Sequence, residues 1–104
     1  MSMARALYRP ALVGATAHMF VADWSRDDRV QNPTLAEARA FIDAYQLASG
    51  SAFSPEERAL CSAAFAYSVA YTARCGHSSG VDTRHEPGTF QYLVATEGAR
   101  LLYL

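Results

Sequence analysis

The segment from Phe41 to His77, FIDAYQLASGSAFSPEERALCSAAFAYSVAYTARCGH, constrains the fold more than any other part of the chain. It reads as two amphipathic helices joined by a turn containing Ser49-Gly50. The helix entering it starts at Thr34-Leu35-Ala36-Glu37, a capping box in which the Thr hydroxyl and the Glu carboxylate satisfy orphan N–H groups reciprocally. Its apolar face is Leu35, Ala38, Phe41, Ile42 and Tyr45, at helical spacing, and Gly50 supplies the left-handed position that ends it. The next helix opens with a second capping box, Ser54-Pro55-Glu56-Glu57, with Pro at the first helical position, and Glu56 and Glu57 are assigned to this cap. This third helix is expected to run to about Cys75 and stop at Gly76. Leu60, Ala64, Tyr67 and Tyr71 form one stripe on it, and Cys61, Phe65, Ser68 and Thr72 an adjacent one. A helix apolar on several faces is normally the central one of a bundle.

Around this pair, a first helix is expected from about Pro10 to Val21. Pro10 suits a first-turn position and Gly14 permits close packing; Met1 to Arg9 either extend this helix or fray. Asp23 to Pro33 reads as a polar loop ending in the turn signal Asn32-Pro33. Gly76 to Gly88 reads as a long loop, after which Thr89 caps a fourth helix containing Phe90, Leu93, Val94, Leu101 and Leu102. No strand-like alternation of any length occurs. The expectation is one all-α domain over residues 1–104, with three to four helices and an antiparallel helical hairpin, the second and third, at its centre.

Composition narrows the function classes. The 104 residues are 51% hydrophobic and 18% charged, which is globular, and the net charge of −1 offers no basic field for nucleic acid or anionic lipid. All nine basic residues are Arg. The chain therefore contains no Walker A, Schiff-base or phosphate-pairing lysine. The longest uncharged run, Ala59 to Ala73, is shorter than the ~20 residues a bilayer requires. No apolar leader with a cleavage site is seen, and a cytoplasmic location is expected. Cys61 and Cys75 fall on one helix ~21 Å apart, beyond the ~7 Å limit for a disulfide, and are expected to be free thiols.

Few residue constellations suggest chemistry. Cys75, His77, Asp82 and His85 are all possible ligands, but their spacing is not that of a zinc site. No Gly-x-Ser-x-Gly elbow occurs and no spacing fixes a triad.

The pair Ala44-Tyr45, the Ser49-Gly50 turn, Phe53-Ser54-Pro55-Glu56-Glu57 and the helix end Ala73-Arg74 resemble the C-terminal helical subdomain of bacterial aminoglycoside phosphotransferase-like proteins, the small-molecule kinases of the choline kinase and homoserine kinase group. The resemblance covers roughly Pro10 to His77. Those kinases use a His-Gly-Asp…Asn catalytic loop and a later Asp-Trp pair to position the acceptor hydroxyl and hold Mg²⁺. This sequence has no His-Gly-Asp. Its Asp23-Trp24 follows the helix aligned with the one after the family's Asp-Trp motif and so falls in a variable loop.

The resemblance implies an acceptor-side lobe, catalytically silent alone, with no catalytic, metal-binding or cofactor-binding residue of its own. Its C-terminal helices would wall an acceptor pocket, making Tyr67, Tyr71 and Arg74 the candidate substrate-binding residues. Tyr offers an apolar body with a polar tip, and Arg can clamp an anionic group. The alternative places both tyrosines in the helical core, with Arg74 complementing the helix dipole. Expected partners are a nucleotide-binding lobe in trans or a second copy in a homodimer. The alternative function is a free-standing helical interaction or dimerisation module. Four short helices cannot surround Leu60, Phe65, Tyr67, Val69 and Tyr71 together, so an exposed patch is expected.

Overall fold

The longest element runs Pro55–Ser78, 24 residues, and everything else is arranged around it. In the computed structural model, which describes residues 3–18 and 33–104 and side chains over 9–18 and 33–104, the chain is all-α. The helices are α1 (Met3–Ala17), α2 (Leu35–Ser49), α3 (Pro55–Ser78) and α4 (Phe90–Glu97), followed by a 3₁₀ helix, Gly98–Leu102.

Both capping boxes form as expected. Thr34 Oγ1 accepts from Glu37 N at 3.1 Å while Glu37 Oε1 accepts from Thr34 N at 2.9 Å, and Ser54 and Glu57 repeat the exchange at the same distances. Pro55 occupies the first turn of α3. Glu57 alone closes the second box. Glu56 is exposed and makes no ion pair or side-chain hydrogen bond among the described residues. Gly50 ends α2 in the left-handed region, with Gly50 N donating to Leu47 O and Ser51 N to Gln46 O. The Gln46 side chain then accepts from Phe53 N at 2.6 Å and fixes the short connection into α3.

The core is built on a four-residue repeat along α3. Cys61, Phe65, Val69 and Ala73 are buried and meet Val13 and Ala17 of α1, Ala38 and Ile42 of α2, Phe90 and Leu93 of α4, and Leu101 and Leu104 beyond it. The most extensive packing is α1 on α3, while α2 packs chiefly on α1 and makes few close backbone approaches to α3. Gly14 makes this approach possible, since a Cβ there would stand 1.9 Å from the Cys61 carbonyl oxygen. Arg58 of α3 links α2 and the chain end, donating to Asp43 Oδ1 at 2.8 Å and to Leu104 O at 3.1 Å. Buried Ser62 accepts from Leu104 N at 3.0 Å.

Three element boundaries differ from the sequence expectation. Helix α1 starts at Met3, so Pro10 lies inside it and not in its first turn. The Pro10 ring is fully buried, and that packing offsets the hydrogen bond its missing N–H cannot make. The expected extension of this helix to Val21, the loop up to Asn32 and the Asp23-Trp24 pair lie outside the described residues.

Helix α3 continues through Gly76 to Ser78. Gly76 faces α4, where its missing Cβ leaves room for Gln91 Nε2. The left-handed stop is taken instead by Gly80 (φ +85°), with Gly80 N on His77 O and Val81 N on Gly76 O.

Helix α4, capped by Thr89 as expected, ends at Glu97 and does not reach Leu101 and Leu102. The chain turns at Gly98 into the 3₁₀ helix, which brings Leu101 back onto α3 and leaves Leu102 about half exposed.

Candidate functional site

Among the described residues, one face of α3 gathers the candidate side chains. Because α3 buries the row Cys61, Phe65, Val69 and Ala73, its opposite face is fixed by the 3.6-residue repeat. Glu56, Ala59, Ala63, Tyr67, Ala70, Tyr71 and Arg74 are all exposed along it. Tyr67 is 70% and Tyr71 58% exposed. They are one turn apart and stack, with ring centroids at 6.1 Å and planes 20° apart. Neither belongs to the core, so the core alternative for these two residues does not hold. Of the apolar residues expected to compete for cover, Phe65 and Val69 are buried, Leu60 is half-buried and the two tyrosines form the exposed patch.

The three candidate substrate-binding residues come together. Tyr67, Ala70, Tyr71 and Arg74 line an open depression of about 290 Å³. It adjoins a second hollow of about 370 Å³ between α3 and α4, lined by Ala70, Ala73, Arg74, His77, Arg84, Gln91, Val94 and Ala95. Ala70 and Arg74 line both, so the two depressions neighbour each other along α3 and are taken together as a groove. Its floor is apolar, and no carboxylate lines it. Arg74 is exposed at the junction and has no ion pair or side-chain hydrogen bond among the described residues, which leaves its guanidinium open to a ligand.

The second wall of the groove depends on residues that helical periodicity does not reveal. Gln91 is buried and holds the loop after α3 by both ends of its amide, Nε2 donating to Val81 O at 2.8 Å and Oε1 accepting from Thr83 N at 3.1 Å. Thr89 adds bonds to the carbonyls of Thr83 and Glu86. Arg84 is held by Asp82 through two side-chain bonds, at 3.0 and 2.9 Å. The Arg84 guanidinium holds the Asp82 carboxyl down at about 2, and Asp82 raises Arg84 in turn. The run Gly76 to Gly88 carries no periodic sequence signal for this clasp. Only the bidentate potential of an Asp-x-Arg pair hints at it.

Cys75, His77, Asp82 and His85 do not form a ligand cluster. Among the described residues no group of three or more His, Cys, Asp or Glu side chains is placed to hold a metal ion. Asp82 is committed to Arg84. Cys75 is an exposed free thiol, while Cys61 is buried, and desolvation pushes its thiol up to about 11 against the lowering effect of Arg58. No described helix is long and apolar enough to cross a membrane. No protein-family model, curated protein or solved structure matches the chain.

Proposed function

We propose that this chain is the acceptor-side helical lobe of an aminoglycoside phosphotransferase-like small-molecule kinase, and that it transfers no phosphate by itself. The observation that carries the reading is the groove beside Tyr67, Tyr71 and Arg74. The residues that the family resemblance assigns to the acceptor wall converge on one open surface, with the one uncommitted Arg of α3's exposed face at its centre. The absence of any Lys and of a His-Gly-Asp motif from the sequence supports the silent part of the proposal.

The groove's chemistry selects among acceptors. Two stacked phenol rings offer an apolar and weakly polar wall, and Arg74 can clamp a carboxylate or another anion bidentately. With His77 and Arg84 on the same rim and no carboxylate among the lining residues, a polycation meets no counter-charge. An acceptor that carries a carboxylate as well as its hydroxyl, as homoserine does, gives Arg74 a partner that choline and an aminoglycoside lack. Isothermal titration with these three compounds tests this. Homoserine is expected to bind most tightly, and Arg74→Ala is expected to abolish its advantage. A stronger response to the aminoglycoside, or an Arg74→Ala variant that binds homoserine normally, contradicts the proposal.

A second reading is a free-standing interaction or dimerisation module. The exposed Ala59, Ala63 and stacked tyrosines favour it, since an uncovered apolar helix face usually marks an interface.

A further inference from the structure

We infer that the exposed face of α3 pairs with the same face of a second copy, antiparallel about a two-fold axis near Phe65. The pattern along the face is self-complementary in that orientation. Reversing the helix direction sets Glu56 opposite Arg74 of the other copy, Ala59 opposite Tyr71, and Ala63 opposite Tyr67. Each large ring then meets a methyl group, and an acidic residue meets a basic one at both ends. All six side chains are exposed. Among the described residues Glu56 and Arg74 make no ion pair, which leaves both charges for use between copies. A two-fold interface requires this kind of self-match, because each residue is paired with the partner of its own partner. A parallel pairing would set ring against ring and like charge against like charge.

The face runs ~27 Å from Glu56 to Arg74 at ~1.5 Å per residue. A strip of that length and roughly 10 Å width covers a few hundred Å² per copy, below the ~800 Å² of a standard interface, so the dimer is weak and concentration-dependent. It also covers the Tyr67–Arg74 depression, so dimerisation and small-molecule binding there are mutually exclusive. The inference stands on the exposed pattern and not on the kinase-lobe reading.

Sedimentation velocity over a concentration series, with far-UV circular dichroism as a folding control, tests it. The wild type is expected to move from 11.3 kDa towards twice that mass as concentration rises. Glu56→Arg and Arg74→Glu each turn both end pairs repulsive, and each is expected to raise the dissociation constant roughly tenfold or more. Mixing the two variants in equal amounts, or combining them in one chain, restores opposite charges and should restore association. A monomer at all concentrations, single variants that associate like the wild type, or a mixture that stays monomeric would overturn the inference. Should Glu56→Arg disturb the first turn of α3, Glu56→Gln and Arg74→Gln make the comparison by charge removal, and each is expected to weaken association. Glu56→Arg leaves the depression intact, so persistent homoserine binding by a monomeric Glu56→Arg separates the failure of one proposal from that of the other.

Discussion

Gly14 stands where α1 crosses α3, and the crossing has no space for a methyl group. A Cβ there would lie 1.9 Å from the Cys61 carbonyl oxygen and 2.8 Å from its carbon, both backbone atoms that no rotamer change can move. Gly14→Ala is therefore expected to destabilise the protein by roughly 3 kcal/mol or more in spite of Ala's higher helix propensity, since overpacking a fixed backbone contact outweighs the propensity gain. Urea denaturation checks this, and an unchanged or raised midpoint would place the helices farther apart.

The two cysteines give a second residue-scale expectation. A disulfide reagent should modify exposed Cys75 quickly in the native protein and reach Cys61 only on unfolding. Because the Cys61 thiol is raised to about 11 from 9.0, its contribution to stability is complete below pH ~9 and is lost as pH rises towards 11. Asp82 works with the opposite sign. Its folded value of about 2 lies below the ordinary 3.8, so the loop clasp with Arg84 is complete above pH ~4 and released as pH falls towards 2. An NMR titration of the Asp82 carboxyl should show that low midpoint, and Arg84→Ala should return it to the ordinary range.

At the scale of elements, helix starts marked by a capping side chain are legible and the other boundaries less so. Thr34, Ser54 and Thr89 each accept from a first-turn N–H, at the positions their side-chain chemistry predicts. Removing one such acceptor by Ser54→Ala is expected to cost ~1 kcal/mol, and Glu57→Ala less, because only the reciprocal half is lost. An unchanged denaturation midpoint for Ser54→Ala would contradict the cap. Local preference fails where a residue answers to tertiary contacts instead. Pro10 reads as a helix start but is fully buried within α1. Gly76 reads as a stop but serves the approach of Gln91, and Gly80 makes the stop. The return of Leu101 and Leu104 onto α3 follows from the α3–α4 geometry, which no local pattern contains.

For the whole molecule, the all-α class and the central place of α3 were readable because its apolar residues exceed one face. Which of those residues would be left outside was not. Tyr67 and Tyr71 have the same periodicity as core residues, and only the positions of α1 and α4 decide that α3 buries the Cys61–Ala73 row and exposes the tyrosines. The groove's α4 wall, held by Gln91, was likewise invisible before the fold. The central claim is that this face is an acceptor wall with no nucleotide chemistry behind it. Chemical-shift mapping of the ¹⁵N-labelled protein, titrated with ATP–Mg²⁺ and separately with homoserine, tests it most directly. ATP–Mg²⁺ should shift no resonance, and homoserine should shift those of Tyr67, Ala70, Tyr71, Arg74 and their neighbours along the groove. Saturable ATP–Mg²⁺ shifts in the micromolar range, or no homoserine shifts on this face, would contradict the account.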